Sequence, residues 1–241
     1  RRGCLHTPQG PIETPVFMPV GTQATVKTLD PTEVESLGFR LILANTYHLM
    51  LRPGIEVLEE VGGVRPFMRW PHALLTDSGG FQIFSLAQQA KVREEGVSFR
   101  SHIDGSKWHL TPEAAVRLQL GYGSTIMMAL DHLIGLPAER KKILDAMHRT
   151  HRWLDRAIAA HSEQNGNERG HALFGIVQGG MEADFRVASA QYIAEADVAG
   201  CAIGGLSVGE PKPVMAEMLE TVEPHLPTHK PRYLMGVGSP E

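Results

Sequence analysis

The sequence contains only two cysteines, Cys4 and Cys201, among its 241 residues. Two cysteines cannot build a disulfide framework or a four-cysteine zinc site. Long apolar runs are also absent: the longest, such as residues 125–130 (TIMMAL), are far shorter than the roughly 20 residues of a membrane-spanning helix. No charged-then-apolar leader stands at the start of the chain. These absences predict a soluble, cytoplasmic protein that does not interact with a membrane.

Metal-binding patterns and a strong charge of one sign are missing as well. The 12 histidines form no H-x-H or H-E-x-x-H pattern, so we predict no metal ion or cofactor in this chain. A net charge of −4 argues against a surface that coats nucleic acid, although it allows a local basic patch. What is present is enough apolar material, 42% of the residues, for a sizeable core in one large domain spanning residues 1–241.

Seven near-continuously apolar segments, each followed by turn residues and then by helical periodicity, predict the strands of a parallel sheet buried on both faces. These segments are residues 15–20, 41–44, 73–76, 125–130, 172–177, 200–203 and 232–235. Seven βα-type units in this length predict a (β/α)₈ barrel that is incomplete, because a closed barrel needs an eighth strand. The sequence therefore indicates a truncated barrel and a fragment of a longer catalytic domain.

Local signals predict several helices and one interruption of the barrel. Asp30-Pro31-Thr32-Glu33 is typical of a capped helix start, and residues 138–163 predict one long helix. The segments 97–103 and 107–110 flank Asp104-Gly105, a hairpin signal. We therefore expect a β-hairpin inserted after the third strand.

Polar or glycine-rich residues follow six of the predicted strands, where a barrel builds its binding site. A single strand-terminal Asp is often only a helix cap, and a glycine pair is usually a turn. Six such strand ends at one mouth are better explained as a binding site. The candidate residues are Asp77, Phe81, Asp131, Gln178, Gly204, Gly205, Leu206 and Met235.

The chemistry of these candidates predicts a slot for a flat heterocycle such as guanine. The two carboxylates suit acid–base or glycosidic-bond chemistry. The glutamine amide both donates and accepts, and the backbone at the glycine pair can approach a ligand closely because no Cβ intervenes. The aromatic ring and the thioether can form apolar walls on the two sides of a planar base.

Seven motifs in collinear order closely resemble those of the tRNA-guanine transglycosylases and span nearly the whole chain. The motifs are residues 15–28 (PVFMPVGTQATVKT), 45–54 (NTYHLMLRPG), 75–82 (LTDSGGFQ), 94–106 (EEGVSFRSHIDGS), 174–180 (FGIVQGG), 202–210 (AIGGLSVGE) and 231–238 (PRYLMGVG). That family exchanges a guanine in tRNA for a 7-deazaguanine base, at the anticodon wobble position in bacteria and eukaryotes, on the path to queuosine. The resemblance implies such a tRNA as partner and a homodimer.

The resemblance also implies roles for individual residues. Asp77 matches the general acid/base that acts on the departing and incoming base, and Asp131 and Gln178 match residues that bind the polar edge of that base. Gly205 matches the glycine whose backbone N–H meets the carbonyl oxygen of the base, and Leu206 the residue whose carbonyl meets its 7-substituent. Gly204 precedes them in the same loop.

Four further positions concern the walls of the slot and the choice of base. Phe81 stands where bacterial members commonly have Tyr, and together with Met235 it would sandwich the ring. Leu133 replaces the bacterial cysteine near the 7-position, as in eukaryotic members, whereas Val208 is bacterial-like and occupies room that the bulky queuine would need. Steric exclusion is the stronger of these two effects, so we expect the small base preQ1 to be favoured over queuine.

Two features of the family are not found in this sequence. Its covalent nucleophile is an aspartate on the eighth strand, in a D-M-F-D-C-like segment, and its zinc site of three cysteines and a histidine lies later still. Glycosyl transfer needs a nucleophile at C1′, so we expect this chain alone to be inactive. Zn²⁺ is expected only in the complete family member.

Two alternatives to the transglycosylase stay open at this point. A non-catalytic, tRNA-binding partner subunit of a transglycosylase heterodimer would have no need of the base-binding residues. A sugar hydrolase would use Asp77 and Asp131 as its carboxylate pair, separated by about 5–5.5 Å in a retaining enzyme. A downstream aspartate and a C-x-C-x-x-C…H pattern in the continuing sequence would favour the enzyme.

Overall fold

The computed structural model describes residues 2–237, so Gly238, the last residue of the motif 231–238, lies outside the described residues. The strands are β1 (Gly3–Thr7), β2 (Gly10–Thr14), β3 (Leu41–Asn45), β4 (Ala73–Asp77), β5 (Gln88–Val92), β6 (Val97–Arg100), β7 (Lys107–Leu110), β8 (Ile126–Met128), β9 (Ala172–Val177), β10 (Gly200–Ile203) and β11 (Arg232–Leu234). The helices are α1 (Pro31–Ser36), α2 (Thr46–Leu51), α3 (Ile55–Glu60), α4 (Val64–Met68), α5 (Gly80–Leu86), α6 (Pro112–Gly121), α7 (Arg140–Glu163), α8 (Ala183–Glu195) and α9 (Lys212–Val222), followed by a 3₁₀ turn (Glu223–His225).

Within residues 2–237, six strands form one parallel sheet in the order β11-β10-β9-β8-β4-β3. Each neighbouring pair is in parallel register, for example Ala44 opposite Thr76 and Ala202 opposite Ile176. The sheet curls into a half-barrel, with helices between its strands. The prediction of an incomplete (β/α) barrel is therefore confirmed.

The sheet is apolar on both faces because successive side chains of a strand point to opposite sides. One face supplies the inner core, in which residues from all six strands pack together: Leu41, Leu43, Ala73, Leu75, Ile126, Met128, Phe174, Ile176, Ala202 and Tyr233. The alternate residues, such as Leu74, Met127 and Cys201, pack on the outside against the helices. Two-sided burial explains why these strands have near-continuous apolar sequences.

The hairpin of β1 and β2 lies at the amino-terminal end of the sheet. Leu5 and Ile12 pack against the inner core, and the Thr125 hydroxyl just before β8 donates to Gln9 Oε1 at 2.5 Å. This hairpin therefore covers the end of the half-barrel opposite the carboxyl ends of the strands.

The prediction of a strand at residues 15–20 is wrong. The segment is an irregular loop with a single parallel bridge between Val20 and Leu43. Leu43 N donates to Pro19 O at 2.9 Å, and Gly21 N donates to Leu43 O at 2.6 Å. Pro15 and Pro19 have no N–H to donate, so a regular ladder cannot form along this segment, although its end runs beside β3.

The other local predictions are confirmed. Asp30 caps α1 with a complete capping box, and the long helix predicted over 138–163 is α7. β6 and β7 pair as the predicted hairpin, and β5 adds a third antiparallel strand to it. Among the helices of residues 2–237, none has both the length and the apolar character required to cross a bilayer.

Candidate functional site

A cavity of about 680 Å³ lies in the half-barrel, and residues at the carboxyl ends of its strands form part of its lining. Seven of the eight predicted site residues line it: Asp77, Phe81, Asp131, Gly204, Gly205, Leu206 and Met235. The eighth, Gln178, is buried directly beside Asp131. The structure thus brings together residues that are up to 158 positions apart in the chain.

Asp77 is the last residue of β4, and its carboxylate accepts hydrogen bonds from three directions. Asn45 Nδ2 donates to its Oδ2 at 2.5 Å, and the backbone N–H groups of Thr46 and Gly79 each donate to its Oδ1 at 3.0 Å. Burial raises the pKa of Asp77 from 3.8 to about 6, although these hydrogen bonds oppose the rise. A carboxyl group that titrates near neutral pH can act as a proton donor and as an acceptor.

Asp131 follows β8, the neighbour of β4, so it lies at the same end of the sheet as Asp77. Its Oδ2 accepts from Gln178 Nε2 at 2.7 Å, and its Oδ1 accepts from Ser78 Oγ at 3.2 Å. Burial raises the pKa of Asp131, while the hydrogen bonds from Gln178 and Ser78 oppose this change. Two lone pairs per oxygen leave the carboxylate able to accept further donors from a ligand.

The loop after β10 lies very close to Gln178, the residue that donates to Asp131. A Cβ on Gly205 would lie 2.4 Å from Gln178 Oε1, and the φ of Gly205 is +63°. A Cβ on Gly204 would lie 2.7 Å from Ile176 Cγ2 and 3.5 Å from Met235 Sδ. Because glycine has no Cβ, the backbone at both positions can lie close enough to a ligand in the cavity to contact it.

Apolar side chains complete the lining of the cavity. The Phe81 ring is 51% exposed at the start of α5, Met235 follows β11, and both side chains line the cavity. Leu133 and Val208, the two positions expected to affect the choice of base, both line the cavity as well. A planar ligand between Phe81 and Met235 would have an apolar surface on each face.

Three buried polar residues support this site although the sequence assigned none of them a role. Asn45 is the last residue of β3 and donates to Asp77. Gln119 of α6 accepts from Met128 N at 3.0 Å and donates to Met128 O at 3.0 Å, which ties α6 to β8. Arg186 of α8 donates to backbone carbonyls at the ends of two strands. The only sequence signal for Gln119 and Arg186 is a polar residue on a helix face that otherwise packs inward.

The described side chains bear on whether this chain could hold a metal ion. In the part of the chain that the structure describes, no group of three or more His, Cys, Asp or Glu side chains could hold one metal ion. Cys201 is buried in β10 of the six-stranded sheet, whereas Cys4 is exposed in β1 of a separate two-stranded sheet. The zinc ion expected for complete family members stays a prediction.

Comparison with known proteins identifies relatives along the whole chain. The protein named Queuine tRNA-ribosyltransferase from Herpetosiphon aurantiacus is 58% identical over 241 residues, which are all of this chain and 60% of that protein. The protein of the same name from Pelotomaculum thermopropionicum is 56% identical over 241 residues, or 64% of its length. The one from Symbiobacterium thermophilum is 57% identical over 241 residues, or 59% of its length. The chain therefore spans about three fifths of the length of these curated relatives.

A family model provides the second finding. The model described as Queuine tRNA-ribosyltransferase matches residues 1–241. This match includes all six strands of the parallel sheet and every residue that lines the cavity at their carboxyl ends. The chain belongs to the queuine tRNA-ribosyltransferase family.

Proposed function

We propose that the full-length gene product exchanges guanine at the wobble position of a tRNA anticodon for a 7-deazaguanine base, and that this chain supplies the base pocket. The observation that carries the proposal is the placement of two buried carboxylates, Asp77 and Asp131, beside a glycine backbone in one cavity. Family membership supports the same reaction.

The pocket has a suitable partner for each edge of a guanine-like base. The Asp131 carboxylate can accept from the N1–H and N2–H₂ groups, and the Gly205 N–H can donate to the carbonyl oxygen. The raised pKa of Asp77 suits it to give a proton to the departing base and to take one from the incoming base. Phe81 and Met235 would stack on the two faces of the ring.

The preferred incoming base in this proposal is preQ1. Val208 keeps a branched side chain in the cavity lining, and Leu133 makes another part of that lining apolar. A cyclopentenediol would need both room and polar partners, and overpacking a closely packed site typically costs about 1–3 kcal/mol. The small aminomethyl group of preQ1 needs less room, and its ammonium group can meet the Leu206 carbonyl.

The tRNA is the macromolecular partner in this proposal, and the target guanine would have to be flipped out of the anticodon loop to reach the cavity. Because the substrate is tRNA, we place the protein in the cytoplasm. A homodimer and a zinc ion in the complete protein are further parts of the proposal, and both rest on the resemblance to the family.

The non-catalytic partner subunit is not favoured as an alternative, because relatives with 56–58% identity carry the name of the enzyme itself. The sugar hydrolase has no support from the family match. The partner subunit would bind tRNA and the hydrolase would bind a sugar, but neither would exchange a base. One assay therefore separates all three functions.

That assay measures incorporation of labelled guanine into unmodified tRNA by the full-length gene product. The proposal predicts time-dependent incorporation at the wobble position, and competition by preQ1. Firm binding of tRNA without incorporation would support the partner subunit. Release of reducing sugar from a glycoside, with no incorporation, would support the hydrolase. The prediction that the isolated chain of 241 residues is inactive can be tested in the same assay.

A further inference from the structure

Arg186 is a buried cation that contacts the loop after β10, which contains Gly204 and Gly205. It lies in the first turn of α8, and no part of its side chain is exposed to solvent. Nε donates to Gly180 O at 2.7 Å, Nη1 donates to Gly204 O at 2.6 Å, and Nη2 donates to Gly205 O at 2.8 Å. A longer contact of 3.4 Å joins Nη1 to Val177 O. One guanidinium therefore connects the loop after β9 with the loop after β10.

The partners of this guanidinium are carbonyl dipoles instead of a carboxylate. Among residues 2–237, no Asp or Glu lies within salt-bridge distance of Arg186. Burial lowers its pKa to about 10, and the nearby Glu210 carboxylate opposes this change, so the group stays charged at neutral pH. A buried charge with no carboxylate in direct contact is costly to fold, and its carbonyl partners offset only part of that cost.

Two glycines make the close approach of Arg186 possible. A Cβ on Gly205 would lie 3.3 Å from Arg186 Nη2 and would collide with Gln178 Oε1. A Cβ on Gly179 would lie 2.8 Å from Arg186 N, and the φ of Gly179 is +135°. Gly179 thus leaves room for the backbone of α8 at Arg186, and Gly205 leaves room for the guanidinium.

The contact with Gly204 O has a specific electrostatic consequence. The carbonyl of Gly204 and the N–H of Gly205 belong to the same peptide group, and this N–H is the proposed donor to the carbonyl oxygen of the base. A cation that hydrogen-bonds to a peptide oxygen polarises the peptide and strengthens the hydrogen bond donated by its N–H, because linked hydrogen bonds reinforce one another. The positive charge of Arg186 would therefore act on the base through one peptide group.

We propose that Arg186 is a positioning residue that holds the Gly204–Gly205 peptide in place and stabilises negative charge on the carbonyl oxygen of the base during exchange. When the bond between the base nitrogen and C1′ breaks, its electron pair stays on the base, and an attacking carboxylate supplies a new pair to C1′. Part of the charge on the departing base reaches its carbonyl oxygen until a proton is added to the ring. This inference rests on the proposed function, because it requires a base in the cavity.

The spectroscopic test uses the full-length gene product and 7-deazaguanine labelled with ¹⁸O at its carbonyl. In the wild-type protein, we expect the carbonyl stretch of the bound base to lie at lower infrared frequency than that of the free base. In Arg186→Gln the stretch should move back toward the free value, and in Arg186→Lys it should lie between the two. Arg40→Gln is the matched control, because the exposed Arg40 guanidinium also donates to two backbone carbonyls, Glu35 O at 3.0 Å and Phe39 O at 2.7 Å.

The kinetic test separates this role from a purely structural one. Loss of one direct donor to a developing oxyanion typically lowers kcat about 10²–10³-fold, so loss of this indirect contact should lower kcat by about 10–100-fold. The KM for the base should change much less, because the charge develops only as the bond breaks. Equal effects on kcat/KM and on base affinity, with an unchanged carbonyl frequency, would reduce Arg186 to a structural residue and overturn the proposal.

The outcomes of these tests distinguish a variant that does not fold, a failure of the proposed function and a failure of this inference alone. If Arg186→Gln does not fold, Arg186→Lys and the wild-type frequency shift still test the proposal, and a wild-type stretch at the free value overturns it. If the wild-type protein binds no 7-deazaguanine, the proposed function fails and this inference fails with it. If the wild-type protein binds and exchanges the base while both Arg186 variants match it, only this inference is overturned.

Discussion

Gln178 Nε2 donates to Asp131 Oδ2 at 2.7 Å. The two residues follow the neighbouring strands β9 and β8, and both are proposed to bind the polar edge of the base. The bond orients the Asp131 carboxylate and places Gln178 Oε1 against the backbone of Gly205. Any ligand that binds Asp131 therefore meets a carboxylate whose rotamer is already set, which lowers the entropy lost on binding.

Replacing Asp131 by Ala should weaken binding of a 7-deazaguanine much more than replacing Phe81 by Tyr. The first change leaves the ligand donors and Gln178 Nε2 unpaired, at a cost of about 1–3 kcal/mol for each unsatisfied group. The second change keeps the ring, and Phe81 is exposed enough for a hydroxyl to reach water. Calorimetric titration measures both affinities, with Asp131→Asn as the control that keeps the shape of the side chain. Equal losses for the Ala and Tyr variants would contradict the proposed slot.

Asp77→Asn in the full-length gene product should abolish base exchange while the protein stays folded. Proton transfer by a placed side chain contributes roughly 10²–10⁴-fold to a rate, and asparagine cannot supply it. The hydrogen bonds from Thr46 and Gly79 can still reach the remaining oxygen, so the fold should be kept. Incorporation of labelled guanine and thermal unfolding are the two measurements. Asp145→Asn, an exposed change on α7, should leave both unchanged, and near wild-type exchange by Asp77→Asn would exclude the role.

The buried Asp77 carboxyl should make stability depend on pH. Its pKa is raised in the folded protein, so between about pH 4 and pH 6 the folded state binds more protons than the unfolded state. The free energy of unfolding of the wild type, relative to Asp77→Asn, should therefore fall as pH rises through this window and level off above it. A rise from 3.8 to about 6 corresponds to roughly 3 kcal/mol.

Urea unfolding of both proteins at several pH values measures this difference. Asp30→Asn provides a control of opposite sign, because hydrogen bonds in the capping box of α1, chiefly from Thr32, lower the pKa of Asp30. The wild type should gain stability relative to Asp30→Asn as pH rises through the acid range. A flat difference for Asp77→Asn between pH 4 and pH 7 would show that its carboxyl is not desolvated in the folded protein.

Gly205→Ala should abolish base binding and destabilise the fold. An alanine at φ +63° is strained, and its Cβ would lie 2.4 Å from Gln178 Oε1, so either the loop or the glutamine must move. Gly123→Ala is the matched control, because Gly123 has a φ of +70° but nothing within 4 Å of an added Cβ. Calorimetry and thermal unfolding of the two variants separate the collision from the backbone strain. Full base affinity in Gly205→Ala would show that the loop does not contact the base.

Val208→Gly should open the site to queuine, whereas the wild type should prefer preQ1. Removing the branched side chain enlarges the lining of the cavity beside Leu206, where the 7-substituent is expected. Leu133→Cys serves as the comparison, because a change of polarity there should adjust affinity without reversing the preference. Competition of the two bases for tRNA in one reaction measures the preference. A clear preference of the wild type for queuine would contradict the steric argument.

Much of the fold and the site follows from local sequence. The near-continuous apolar segments predict a parallel sheet because strands that are buried on both faces need no polar alternation. A few adjacent residues are also enough to predict the helix start at Asp30-Pro31 and the turn at Asp104-Gly105. Family motifs place the candidate site residues at strand ends, and the structure brings seven of the eight to the lining of one cavity.

Residues 15–20 show where apolar character alone is insufficient to predict a strand. Their apolar character agrees with a strand, but whether a segment forms a ladder depends on the N–H groups it can offer to a neighbour, and the two prolines remove them. Burial differs between the two outcomes as well, because Val16, Phe17 and Val20 are exposed, whereas a strand within the sheet would be buried on both faces.

By itself, then, the sequence determined the class of fold, the start of α1, the presence of the long helix α7 and the candidate residues. Only the tertiary structure decided that Asn45 contacts Asp77, that Gln178 contacts Asp131, and that Arg186 reaches the carbonyls of Gly204 and Gly205. It also set the raised pKa of Asp77, because desolvation depends on how many atoms from distant segments surround the carboxyl group. Contacts across a curled sheet join residues tens of positions apart, and no local pattern encodes which side chains will meet there.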